Sequence, residues 1–461
     1  MSAGADDAGT PTARDQFRVS LKYWRRHAGM TQTRLAERLG YHNSVVSRWE
    51  SGDRLPAPDH VRRLDAILNT GGQLTQLRSE AAAATSGLGT LPGLGPQTPL
   101  PSVPAPAHEA TVGWDPAHWP AVLPHQGVRC PLHPESQCTT PSADHAAALY
   151  AAFAQQPGRR VDEDTLHVLT AQHALYAGMA ETHGPSGLQN AVEHALHLIA
   201  RSLCPANARL TQPLLHLAAA HASLAGQLRT LRGQRAAAMA LYGRALHWAM
   251  LCDDVSLRAS LMCDMSSLAR LEDDAGSARA YAQALSAIGP GRTWTTALSH
   301  LYLARSNSIV GDLGETTRQI AGARDALERL DEHDAREAPW LAGVRGQILV
   351  EAGIGGALRD AAAATADRAL AQRAVHATQH SLTFVPARER PAVVLLALRL
   401  ADCYACDGQP DAAIAIASPV LTDARALPMA TVARELHGLR TRLAARWPTL
   451  APVREFLDRA R

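Results

Sequence analysis

The chain has 461 residues, 46% of them hydrophobic and only 4% aromatic, with a formal net charge of +2. That length predicts two or more domains, with cores built from Ala, Leu, Val and Ile. Lys22 is the only lysine, which excludes P-loop and Schiff-base lysine chemistry from the last four hundred residues.

The first thirteen residues are small and polar, and a disordered arm is expected there. The opening MSAGADDAGT has neither a charged n-region nor an apolar h-region, so no signal peptide is expected. No apolar run approaches the ~18 residues of a membrane span. The seven cysteines are scattered. Together these predict a cytoplasmic chain with reduced thiols and no membrane partner.

Residues 14–82 carry a compact helical pattern. Within 14–79 there are twelve Arg or Lys against six Asp or Glu, hence +6, which leaves −4 for the rest. A basic module on a mildly acidic body predicts an anionic partner for the module alone. Thr31 suits the N-cap of a second helix and Gly40 its left-handed end. Leu35, Ala36 and Leu39 form one apolar face. A third helix begins near His42 or Asn43, with Val46 and Trp49 inward and Asn43, Ser44, Ser47 and Arg48 on the other side. Asn and Arg can each make two hydrogen bonds to a purine edge, to adenine and guanine respectively.

The stretch LKYWRRHAGMTQTRLAERLGYHNSVVSRWESGDRLPAPDHVRRLDAIL resembles the XRE/Cro-type helix-turn-helix family of phage-repressor-like (lambda-repressor-like) regulators. The resemblance implies a DNA-binding domain that reads bases in the major groove with Asn43, Ser44, Ser47 and Arg48. It implies backbone contacts from Gln32, with Arg34, Arg54 and Arg18 as candidates for phosphate. It also implies a salt-bridge brace between Arg25 and Glu50. The expected partner is a double-stranded DNA operator, bound by a homodimer.

Residues 83–141 are rich in Pro and Gly and are expected to be a linker. Within them His125, Cys130, His133 and Cys138 follow H-x4-C-x2-H-x4-C. These are zinc-ligand types, but the order fits no pattern we recognise, and a linker that happens to contain them is the expectation. No metal and no cofactor is expected.

From Ser142 to Arg461 amphipathic helices recur in pairs. Gly226, Gly233, Ala238, Tyr242 and Ala245 set a spacing that recurs at Ala304, Gly311, Thr316, Ile320 and Ala323, and again at Ala401, Gly408, Ala413, Ala417 and Val420. A weaker copy ends at Tyr281 and Ala284. Small residues let two helices approach, and the glycine turns the chain between them. The pattern resembles degenerate tetratricopeptide repeats, which implies an all-α fold ending in an α-solenoid with a concave groove near Gln227, Arg270 and Arg305. Cys403 and Cys406 lie within a helix and are expected to fill helix contacts. His167, His173, His183, His194, His197, His216, His221 and His247 are dense, but no catalytic motif accompanies them, so no enzyme is expected.

The combination resembles helix-turn-helix/tetratricopeptide regulators of actinobacterial type. That implies a transcription regulator whose body dimerises or senses a peptide, small-molecule or protein signal. The alternative is an interaction scaffold whose helix-turn-helix serves only localisation or dimerisation.

Overall fold

The computed structural model describes residues 13–51, 55–68, 70, 72, 74, 75, 77, 78, 118–155, 161–185, 187–203 and 208–460. Apart from Ala13, which opens a helix, the expected disordered arm therefore lies outside the described residues, as does most of the expected linker. The chain divides into two compact units, residues 1–100 and 101–461. Among the described residues both are built almost wholly of helices.

In the first unit α1 (Ala13–His27), α2 (Gln32–Leu39), α3 (Asn43–Ser51) and α4 (Pro58–Leu68) enclose one core. Phe17 and Leu21 meet Leu35, Ala36 and Leu39, then Val46, Trp49, Val61 and Leu64. Thr31 caps α2, its hydroxyl accepting from the Arg34 N–H at 3.1 Å. Gly40 ends it at φ 81°; the Gly40 N–H donates to Glu37 and the Tyr41 N–H to Ala36. This is a Schellman end, which needs a residue that tolerates positive φ. The turn therefore delivers the chain straight into α3. His42, just before α3, caps it through Nδ1, which lies 3.4 Å from the Ser44 N–H.

The second unit opens with a short hairpin, β1 (Val122–Leu123) paired antiparallel with β2 (Cys138–Thr139), Val122 opposite Thr139 and Leu123 opposite Cys138. Here the linker expectation fails. Residues 118–141 fold back on themselves, with Trp119 Nε1 donating to the Pro141 carbonyl at 2.9 Å. Leu123, Cys130 and Cys138 share a small core with Ala174. Proline and glycine serve turns as readily as linkers, and composition cannot separate the two.

The helices that follow are α5 (Ala143–Gln155), α6 (Glu163–His183), α7 (Leu188–Ser202), α8 (Ala208–Leu231), α9 (Arg235–Leu251), α10 (Val255–Leu271), α11 (Ala275–Ile288), α12 (Thr293–Ile309) and α13 (Leu313–Glu328). They continue as α14 (Glu332–Glu337), α15 (Gly343–Thr365), α16 (Arg368–Phe384), α17 (Arg390–Cys406), α18 (Pro410–Ala417), α19 (Leu421–Ala426), α20 (Ala430–Arg446) and α21 (Ala451–Arg459). Sequential helices pack together, and so do alternate ones such as α8 with α10 and α10 with α12.

The turns explain the repeat. Left-handed residues stand at Gly233, Asp253, Asp273, Gly291 and Gly311, so the chain reverses every eighteen to twenty residues. Asp254, Asp274 and Asp312 follow three of them and cap the next helix, each accepting an N–H three residues on at 2.8–3.0 Å. A helix pair is consequently about forty residues long, longer than the 34 of the tetratricopeptide consensus. Ala238, Tyr242 and Ala245 are buried, as are Thr316, Ile320 and Ala323. In the weaker copy the buried triplet is Ala278, Ala282 and Leu285, not the set ending at Tyr281 and Ala284. The register differs by one because Asp273, not a glycine, makes that turn.

The ends of this unit meet. Helix α17 packs on α6, and α20 on α8. Arg345 reaches Glu181 at 3.2 Å, and Arg434 reaches Asp273 at 2.7 Å. A Cβ at Gly184 would touch Met429 and Pro391, and one at Gly233 would lie 3.2 Å from Ala430.

Candidate nucleic-acid interface

Helix α3 divides cleanly. Val46 and Trp49 are buried, and Glu50 is only 7% exposed. Asn43, Ser47 and Arg48 are exposed, and Ser44 is half-buried beside His42. Trp49 belongs to the core, stacked on His60 with ring centroids 5.9 Å apart. The solvent side of α3 therefore presents an amide, two hydroxyls and a guanidinium, which can all bond to base edges. Asn43 is the first helical residue, and the cap belongs to His42.

A buried polar joint fixes the angle of α3. Arg25 of α1 grips Glu50 with two bonds, Nε to Oε1 at 2.5 Å and Nη2 to Oε2 at 2.9 Å. Its Nη1 donates to the Met30 carbonyl at 2.7 Å. Gln32 Nε2 of α2 donates to Glu50 Oε2 at 2.7 Å. Three helices thus converge on one carboxylate. The bond to Glu50 holds the Arg25 guanidinium above its ordinary pKa, so the joint stays charged. The Gln32 amide nitrogen is directed to Glu50.

Arg34 on α2 is exposed, as are Lys22 and Arg26 on α1; Arg18 is half-buried, and Arg54 lies outside the described residues. Arg18, Lys22 and Arg26 line one shallow hollow with Val19, Tyr23 and Glu50. Lys22 and Arg26 were not among the residues expected from sequence, although their i, i+4 spacing from Arg18 places all three on one helix face.

In the second unit Gln227, Arg270 and Arg305 are each half-buried. Gln227 donates to Asp264 at 3.0 Å, and burial pushes that carboxyl up to about 7 against the bond. Arg305 lies over the Tyr302 ring. Arg270 comes no nearer than 3.9 Å to Asp360, and its Nε has no hydrogen-bond partner among the described residues. Burial and Arg305 push Arg270 down to about 9. Nearby charges are well matched: Arg359 bonds Asp360, Asp402 and Glu435 at 2.7–2.9 Å, Arg399 bonds Glu435, and Arg442 bonds Asp402. Cys403 and Cys406 are buried thiols raised by burial to about 12 and about 11, as expected of thiols that fill helix contacts.

With this geometry in view, residues 21–73 match a family model described as helix-turn-helix. This segment of the first unit is therefore a helix-turn-helix, a DNA-binding class of fold. No curated protein and no solved structure matches the chain. No helix among the described residues is long and apolar enough to cross a membrane.

Proposed function

We propose that the chain is a sequence-specific transcription regulator, with α3 lying in the major groove. The observation that carries this reading is the braced, solvent-facing edge of Asn43, Ser47 and Arg48. The buried Arg25–Glu50–Gln32 joint supports it, because base readout needs a helix held at one angle. In this reading Asn43 and Arg48 contact bases, Ser44 and Ser47 assist, and Arg34, Arg18 and Arg54 contact phosphates.

The helical body is proposed to be tetratricopeptide-like, to pair two copies, and to sense a signal. One head alone buries little DNA, and paired heads on half-sites about 34–36 Å apart multiply affinity. Arg270, a half-buried cation incompletely matched by acid, favours a ligand with a carboxylate or similar anion.

The test is a gel shift with the intact chain and the DNA upstream of its own gene. Binding that survives excess unrelated duplex and weakens steeply with salt is expected. Equal affinity for the upstream and unrelated duplexes would refute the regulator reading and leave the scaffold alternative.

A further inference from the structure

We infer that Cys130, His133, Cys138 and His167 form a structural zinc site that clasps the 118–141 segment onto α6. The four donor atoms lie within 4.8 Å of one another. His133 Nδ1 is 3.1 Å from Cys138 Sγ and 3.7 Å from Cys130 Sγ, and His167 Nε2 is 3.3 Å from Cys138 Sγ. A tetrahedron with Zn–S of about 2.3 Å and Zn–N of about 2.0–2.1 Å has edges of about 3.3–3.8 Å. These three separations already stand near those edges, and the remaining ones are within 4.8 Å.

Local structure explains how they come together. The His133 N–H donates to the Cys130 carbonyl at 3.2 Å, a tight turn that sets positions i and i+3 on one side. Cys138 opens β2, held opposite Leu123. His167 arrives from the second turn of α6, its ring lying nearly parallel to that of His133. Both cysteines are buried and unbridged, and His133 is exposed, giving an ion a route in.

The donor set selects the metal. Two thiolates and two imidazoles with no carboxylate suit zinc in tetrahedral geometry. Two thiolates also neutralise its charge, which suits a half-buried place. Four protein donors leave no open position, so the ion is structural. The expectation of no metal is thus replaced. The sequence supplied three of the four ligands, but His125, the fourth of its pattern, stands outside the cluster at the hairpin turn, and His167 takes its place.

The test is metal analysis of the full chain purified with zinc in the medium, followed by Co2+ exchange. About one zinc per chain is expected, along with the visible absorption of tetrahedral thiolate-bound Co2+. Cys138→Ser and His167→Gln should each lose both signals, while His125→Gln keeps them. Circular dichroism of each variant shows that the helices persist. In the wild-type chain, chelation should release the ion to a colorimetric indicator and open residues 118–141 to protease. A zinc-free wild-type chain, a Cys130–Cys138 disulfide in the chain as purified without reductant, or full zinc content in His167→Gln would each overturn the site.

Discussion

In the proposed reading Arg48 and Arg34 make two kinds of contact that a single affinity would merge. Arg48 stands on the outer face of α3 and Arg34 on exposed α2. Arg48→Ala is expected to relax preference at one base position by about 1–3 kcal/mol, measured against a set of single-base operator variants. Arg34→Ala should weaken all sequences alike and lower the salt slope by about one. A different residue-scale device lies in the body. His221 is fully buried, with Nδ1 donating to the Leu217 carbonyl at 2.9 Å and Nε2 without a partner among the described residues. Burial pushes it down to about 4 against that bond, and His173, ring to ring with it at 4.7 Å, lies well below its ordinary value. His216, near the pair, is opposed by burial but raised to about 9 by Asp254 and Cys252. Between pH 6.5 and about 4 the unfolded chain binds the His221 proton and the folded chain does not. The stability from neutral His221 is therefore complete above pH 6.5 and falls as pH drops toward 4, by about 3 kcal/mol. Urea midpoints at pH 7 and 4.5 should differ less in His221→Gln than in the wild-type chain.

Helix pairs are where small residues decide packing. A Cβ on Gly226 would sit 2.5 Å from the Tyr242 ring, whereas one on Gly243 meets nothing within 4 Å. Gly226→Ala is expected to destabilise by about 1–3 kcal/mol through overpacking. Gly243→Ala, exposed in mid-helix, should stabilise by about 0.4–1 kcal/mol, and urea midpoints of the two variants should move in opposite directions. The same contrast shows what was legible in sequence. Gly226 and Gly233 announce a close crossing and a turn because no other residue type fits them so easily. Asp273 makes the same left-handed turn at φ 58° but looks like any surface acid, so the register of that copy was missed by one. The helix-turn-helix was legible almost entirely, since its core, cap and brace all fall in one short stretch of chain between Phe17 and Leu74. His167 was not, because nothing local marks a helical histidine as facing a loop some thirty residues earlier.

At the scale of the whole second unit, contacts between distant helices set the behaviour. In an open repeat array each repeat touches only its neighbours, and stability is a sum of local terms. Here Arg345 with Glu181, Arg434 with Asp273, and Met429 beside Gly184 join early helices to late ones. A chain ending at Val420 should lose hydrogen-exchange protection at residues 184, 233 and 271–273; an array coupled only through neighbours would keep it. The joined ends also bear on how such a chain can change over generations. An open array tolerates the gain or loss of a helix pair, because each unit caps the last. Inserting one between residues 273 and 345 would part Arg434 from Asp273 and Arg345 from Glu181 together. Length variation in this unit is therefore expected in its turns rather than in the number of its helix pairs.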